Sequence, residues 1–319
     1  MMDAHYRCPA CLRADLAYSY DAPEYRTGNQ FKLYECPLCG LGVTKPDITS
    51  EALGAYYADQ YYGSRKGAMG GLINYLWMRK VMRAWARPPG RLLDVGCGNG
   101  SFLKAAAALG WDVYGTERAQ GAHLSPDIAA RICRDELPNC PFTEASFDVI
   151  TSWHSFEHLQ DPERYLKRIA ELLREDGMLV IEVPNYRSWQ ARLFTADWLH
   201  LDVPRHLFHF SPESLRAMLE RNGFAVQRIS YGNAIYDMFG LLQSFLNAVT
   251  SEKNIVFDLV NGKARHRTIS LFDWVLTILF FIPAGVLAGI LWLGERVSRS
   301  TGTITLFATL KKQGTEGVL

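Results

Sequence analysis

Leu92-Leu-Asp-Val-Gly-Cys-Gly-Asn-Gly-Ser-Phe-Leu103 is the stretch that decides the fold of this 319-residue chain. A hydrophobic strand runs straight into Gly96, Gly98 and Gly100, and a helix starts at once. Glycines at such a junction allow a tight turn and let a ligand lie against bare backbone at a helix N-terminus. A dinucleotide loop places its third glycine three positions after the second, whereas here it comes after two. Asp94 precedes the loop by two residues. That carboxylate would repel a pyrophosphate and attract an ammonium.

Outward from this loop, strands and helices alternate. RLLDVG, WDVYGTE, ARICRD, FDVITSW, GMLVIEVP and FAVQRISYG read as strands, and SFLKAAAALG, PERYLKRIAELLRED and SPESLRAMLERNG as helices. Such alternation predicts an α/β fold with a doubly wound, mostly parallel seven-stranded sheet. TITLFATLKK, near the end, reads as its antiparallel last strand. The segment from about Ser50 to Arg87 has helical spacing and ends at Pro88-Pro89-Gly90.

These features resemble the class I S-adenosylmethionine-dependent methyltransferases over roughly residues 90–232 and again at 303–311. The resemblance implies that Asp94, Gly96, Gly98 and Gly100 hold the methionine end of the cofactor. It implies that Glu117, twenty-three residues after Asp94, binds the ribose hydroxyls, and that Asp135 in CRDELP meets the adenine amino group. SFDVITSWHSFEHLQDP is similar to the family's fourth strand and the loop after it.

Methyl transfer from a sulfonium is an in-line displacement, and a hydroxyl acceptor must also lose its proton. Two clusters at strand ends offer bases. The first is His154, Glu157 and His158 in HSFEH, where ubiquinone-pathway O-methyltransferases carry a similar acid–histidine segment linked to a divalent ion. It reads as a base, as a metal site at His154/Glu157/His158, or as a structural turn with Asp161 capping the next helix and Pro162 at its first position. The second is LDVPRHLFHFSPESL, similar to strings in bacterial polysaccharide and natural-product methyltransferases. There His206 reads as a base and Arg205 as an anchor for an anionic acceptor, or both as pins for the loop. His209 reads as a brace. Tyr56, Tyr57, Tyr61 and Tyr62 either close over the cofactor or pack.

The two ends of the chain need separate explanations. CPAC, twenty-four residues and CPLCG place Cys8, Cys11, Cys36 and Cys39 as two knuckles of a structural Zn²⁺ ribbon. A closed four-cysteine site leaves no position for catalysis; its return is folding free energy, on the order of 10 kcal/mol. Cys97, Cys133 and Cys140 lack that spacing and read as ordinary small residues. MMDAHYRCPACLRAD has no apolar leader core, so a reducing cytoplasm is expected.

Val275 to Leu293 runs nineteen residues without a charge, enough to span a bilayer. The last strand must rejoin its sheet, so the run is expected to enter and return, bending near Pro283-Ala284-Gly285, or to lie along the interface. Arg265, Arg267, Arg296 and Arg299 flank it, and Phe239–Val249 offers a second amphipathic contact. A lid helix or dimer contact in a soluble enzyme is the alternative.

Net charge is only +1 with a pI near 7.6, which argues against a bulk nucleic-acid binder. The sequence therefore divides into a ribbon (1–45), a helical lead-in over the cofactor site (46–89), a methyltransferase core (90–235), a hydrophobic helical insertion (236–300), and the last strand with its tail (301–319). The expected function is O-methylation of a lipid-linked or amphiphilic acceptor, a glycan or quinone-like ring, at the inner face of the cell membrane. Two rivals remain: a soluble C-, N- or O-methyltransferase of a sugar nucleotide or natural product, and a non-catalytic zinc-ribbon interaction protein. Oligomeric state is not legible.

Overall fold

The computed structural model describes residues 6–57, 68–118, 126–261 and 268–312; Tyr61, Tyr62, Arg265 and Arg267 lie outside them. The strands, in chain order, are β1 (Ala17–Pro23), β2 (Gln30–Glu35), β3 (Gly42–Lys45), β4 (Arg91–Val95), β5 (Asp112–Thr116), β6 (Ile132–Cys133), β7 (Phe147–Trp153), β8 (Leu173–Pro184), β9 (Phe208–His209), β10 (Phe224–Tyr231) and β11 (Thr303–Leu310). The helices are α1 (Ser50–Gly54), α2 (Ala68–Trp85), α3 (Ser101–Ala107), α4 (Pro126–Ala129), α5 (Pro162–Leu172), α6 (Trp189–Phe194), α7 (Pro212–Arg221), α8 (Ala234–Val249), α9 (Ile255–Val260) and α10 (Leu271–Ser298).

Seven strands form the main sheet in the order β10-β11-β8-β7-β4-β5-β6. The β4, β5, β6, β7 and β8 neighbours pair in parallel, and β11 runs antiparallel to both β8 and β10. This is the doubly wound sheet expected from the alternation, with TITLFATL as its reversed strand. The order changes direction beside β4, so the crevice for a ligand lies outside the carboxyl ends of β4, β5 and β7.

α5 begins as the sequence suggests, with Asp161 accepting from Arg164 N at 3.0 Å and Pro162 in the first turn. It stops four residues early, however. Leu173 is already paired with Phe147, so the RED stretch belongs to β8 rather than to the helix. Strand pairing has overridden helix propensity there.

The ribbon is built into the body. β3 pairs with β9, putting Gly42 opposite His209 and Val43 opposite Phe208. Cys8, Cys36, Cys39, Leu41 and Val43 share one core with Leu93, Ile150 and Phe210. Cys39 O accepts from Ser211 Oγ at 2.6 Å, and the same Ser211 caps α7 in a reciprocal box with Ser214.

The apolar run corrects the sequence reading. It does not turn back near Pro283 but continues as α10, one helix with Pro283 inside it. An interior proline loses one backbone hydrogen bond and costs about 3 kcal/mol; here Ala284 and Ala288 follow it, buried against the body. The chain does go out and back, with α8 as the outgoing arm and α10 as the return: Ala288 clusters with Leu241, and Ala284 with Leu246 and Val256. α8 is therefore a layer between α10 and the body, where Leu199 N donates to Ser244 Oγ at 2.9 Å and Asn247 Nδ2 to Asp197 O at 3.0 Å. Phe239–Val249 has its apolar side largely covered by its neighbours.

A second correction concerns cysteine. Cys133 and Cys140 are joined by a disulfide that closes the loop carrying Asp135. Cys97 is free and buried.

Candidate active site

The glycine loop has the backbone its sequence promised. Gly96, Gly98 and Gly100 have φ of 74°, 55° and 72°. A Cβ at Gly96 would meet Ser155 Oγ at 1.9 Å, whereas one at Gly98 would meet nothing within 4 Å. Gly96 is needed for close packing, then, and Gly98 for a backbone turned toward open space. Gly98 N donates to Glu117 Oε2 at 2.9 Å, so the acid at the end of β5 and the loop after β4 form one rim. Asp94 is buried on β4, and its Oδ1 accepts from Thr151 Oγ1 at 2.7 Å. Burial, helped by the charge of Glu117 and opposed by the Thr151 hydrogen bond, pushes its carboxyl up to about 8.

Asp135 lies two residues beyond β6, next to Glu117 through the Glu117 N–Cys133 O bond of 3.0 Å. Its carboxylate is exposed and accepts from Glu136 N at 2.6 Å and Asn139 Nδ2 at 3.1 Å, which holds its pKa below the ordinary value. It caps its own turn at the rim of the crevice.

The histidines come from the loop after β7, which packs on the glycine loop through Ser155, and from the loop before β9, and the structure regroups them. His154 follows β7 directly, with φ of 50°. Its ring stacks on Tyr236 of α8 at 4.3 Å, with Nε2 3.4 Å from Glu182 Oε1 and Nδ1 3.7 Å from Glu157 Oε1. Burial works against a charged ring, but the two acids outweigh it and raise the His154 pKa. Glu182, wholly buried on β8, accepts from Trp77 Nε1 at 2.7 Å, Asn233 Nδ2 at 3.2 Å and Thr305 Oγ1 at 2.7 Å, and pairs with Lys80.

His158 and His206 face Glu157 from the other side. His158 Nδ1 lies 2.8 Å from Arg205 O and 2.8 Å from the Tyr57 hydroxyl. His206 Nδ1 lies 2.8 Å from His200 O. A carbonyl only accepts, so both Nδ1 atoms carry the hydrogen and both Nε2 atoms present lone pairs. Glu157 is 1% exposed, and neither of its oxygens has a hydrogen-bond partner among the described residues. One ligand atom each from Glu157, His158 and His206 lies within 4.8 Å of the others. The three-residue cluster is thus Glu157/His158/His206, with His154 beside it on the Glu182 side. Burial, with His158 next, pushes His206 down to about 4.

Arg205 is 2% exposed and engages Asp202 and Glu24, so it pins the loop to the β1–β2 hairpin and is not open to an anionic acceptor. His209 shares a 2.9 Å hydrogen bond with Thr44 of β3, the bracing role its position suggested. Tyr57 reaches the histidine cluster rather than the cofactor loop, and Tyr56 accepts from Asn29 at 2.8 Å. Sequence reasoning missed Glu182, Lys80, Trp77 and Tyr236. An acid inside the apolar strand LVIEVP was the one signal available for them.

In the ribbon, Cys8 Sγ–Cys39 Sγ is 3.5 Å and Cys11 Sγ–Cys36 Sγ is 3.7 Å. Four thiolates around tetrahedral Zn²⁺ would be about 3.8 Å apart, so the cluster is compatible with zinc.

The family model of the methyltransferase domain matches residues 69–229, half of the chain and nearly all of this site. The chain belongs to that family. Similarity extends to a ubiquinone biosynthesis O-methyltransferase of Nitrobacter winogradskyi, 28% identical over 47% of this chain and 61% of that relative. A second such enzyme, from Idiomarina loihiensis, is 28% identical over 52% of this chain and 70% of its own length. The methyltransferase therefore spans less than two thirds of the Nitrobacter enzyme's length. A solved S-adenosylmethionine-dependent methyltransferase from Archaeoglobus fulgidus has a TM-score of 0.48 and 16% identity, covering 80% of this chain and 99% of that one. Membership of this family implies S-adenosylmethionine as the methyl donor, and the sheet order is that of a class I fold.

Proposed function

We propose that this methyltransferase transfers the sulfonium methyl to an oxygen of an amphiphilic acceptor, a quinone-like ring or a lipid-linked glycan, at the membrane surface. One observation carries the oxygen assignment: two imidazole lone pairs converge on a buried carboxylate that lacks hydrogen-bond partners among the described residues. That arrangement is built to take up positive charge, whether a proton leaving a hydroxyl or a cation binding its oxygen. His206 is the base, with Nε2 taking the acceptor's proton and Glu157 stabilising the imidazolium. His158 and His154 are positioning groups, since His154 is already held between two acids. A divalent ion fits the same cluster; Glu157, His158 and His206 would hold it, and it would supply charge for a developing alkoxide or phenolate. The ubiquinone enzymes among the relatives support the quinone-like class.

In the cofactor half, Asp94 receives the methionine ammonium, Glu117 the ribose hydroxyls and Asp135 the adenine edge, with Gly96, Gly98 and Gly100 giving backbone access. This makes binding pH-dependent. With its carboxyl pushed up to about 8, Asp94 is mostly protonated at pH 7 and must release that proton to meet an ammonium. S-Adenosylmethionine affinity then rises about tenfold from pH 6 to 7 and about fivefold from pH 7 to 8, and levels off above. Titration calorimetry in buffers of different ionisation enthalpy reads that proton release directly; pH-independent affinity with no proton released removes Asp94 from this role.

Mass spectrometry of lipid extracts from cells with and without the protein tests the function. One lipid class lighter by a methylene in its absence is expected. A change confined to water-soluble metabolites would instead favour the sugar-nucleotide or natural-product reading.

A further inference from the structure

α10 carries no charged residue between Asp273 and Glu295. Its buried positions, Asp273, Thr277, Ala284, Ala288 and Glu295, fall on a single line along the helix. Opposite them, Leu271, Ile278, Ile282, Val286, Ile290 and Val297 are 59–88% exposed, with more exposed apolar residues on both flanks. Roughly two-thirds of the circumference is therefore apolar and uncovered, at 3.6 residues per turn. A partner helix would cover a stripe about 100° wide and leave the rest in water. Acyl chains would cover the whole arc.

The C-terminal rim of this face fits a lipid headgroup layer. Trp189 is 41% exposed and lies against Gly294, where a Cβ would meet its ring at 2.6 Å. Arg192 on the same short helix, with Arg296 and Arg299 at the end of α10, is exposed. Indole rings and guanidinium groups together mark a membrane interface, and their charge complements anionic lipid.

The inner face determines how the helix lies. Ser251 N donates to Asp273 Oδ1 at 2.8 Å near one end, and Gln190 N to Glu295 Oε1 at 3.0 Å near the other. These attachments are 22 residues apart, about 33 Å of helix, close to the thickness of a hydrocarbon core. An upright α10 would draw the polar body fastened along it into the bilayer.

We infer that α10 is an in-plane membrane anchor, its outer arc among the acyl chains of a bilayer containing anionic phospholipid and its inner line on the body. The inference rests on the membrane-surface part of the proposed function and gives it an element and an orientation. α8 links anchor and site, because Tyr236 in its first turn stacks on His154.

Flotation of the full chain with phosphatidylcholine–phosphatidylglycerol vesicles tests this without any acceptor. Wild type floats; the Ile282→Glu, Ile290→Glu double variant loses at least about tenfold in vesicle affinity and keeps wild-type S-adenosylmethionine affinity. If that variant loses cofactor binding as well, the milder Ile282→Gln carries the comparison. Depth comes from brominated phosphatidylcholines, as the difference in fluorescence quenching between an Ile282→Trp variant and wild type. Bromines near the headgroup quench the added indole most if α10 lies in plane, and bromines near the chain end if it stands upright, which would overturn the orientation. Wild type that stays with the aqueous fraction, or equal flotation of the charged variant, would overturn the anchor. So would a dimer that the charged variant dissolves in the absence of lipid affinity. Lost methylation with intact flotation would instead count against the acceptor assignment alone.

Discussion

A Glu117→Gln enzyme binds S-adenosylmethionine at least about a hundredfold more weakly than wild type, with its fold intact. Hydrogen bonds to a charged group contribute about 1.5–3 kcal/mol each, and a carboxylate on two ribose hydroxyls makes two of them. The amide substitution removes the charge and turns one acceptor into a donor. It also weakens the Glu117 Oε2 bond from Gly98 N that joins the strand end to the glycine loop. Calorimetric titration gives the affinity and circular dichroism checks the fold. Undiminished affinity would take Glu117 out of the cofactor site.

The second large effect is at the ribbon. Cys36→Ser, or stripping zinc with a strong chelator, is expected to unfold both the ribbon and the acceptor half of the site. A structural zinc is worth on the order of 10 kcal/mol to the segment it folds, comparable with the whole stability of an ordinary domain. The damage would not stop at the first 45 residues. Cys36 and Cys39 lie in the same core as Leu93 and Phe210, and β3 carries β9 with His209. The loop holding His206 is pinned from the ribbon side through Thr44, whose hydroxyl donates to His206 O at 2.8 Å. Metal analysis should find stoichiometric zinc in wild type, and the variant should melt at least about 10 °C lower. A metal-free protein with unchanged melting and turnover would make the ribbon dispensable.

What the sequence made legible follows from the range of each signal. The glycine loop, the strand–helix alternation and the two CxxC knuckles are local, with spacing imposed by backbone geometry, and all three reappear in the structure. The reversed strand β11 was legible in TITLFATLKK itself, and its place in the sheet is what required the apolar run before it to come back. The candidate site was only half legible. Glu117 and Asp94 sit at fixed offsets from the loop, but Glu182, Trp77, Lys80 and Tyr236 come from β8, α2 and α8, and nothing in their local sequence says that they meet at His154. His154 leaves β7 at positive φ and lies between Glu157 and Glu182, while His206 reaches Glu157 from the loop before β9, far off in the sequence. The disulfide has no knuckle spacing to announce it. Proline at 283 suggested a bend, and tertiary packing of Ala284 and Ala288 against α8 kept the helix continuous.

Passage of a methyl group from S-adenosylmethionine to an amphiphilic oxygen acceptor can be followed by radiolabel. The most direct measurement incubates the zinc-loaded enzyme with methyl-tritiated S-adenosylmethionine and membrane lipid extract, then partitions the products into organic and aqueous phases. Label is expected in the organic phase, on an oxygen, and falls at least about a hundredfold with His206→Gln while cofactor affinity stays at the wild-type value. Label that stays in the aqueous phase, or undiminished transfer by the His206 variant, would contradict this expectation.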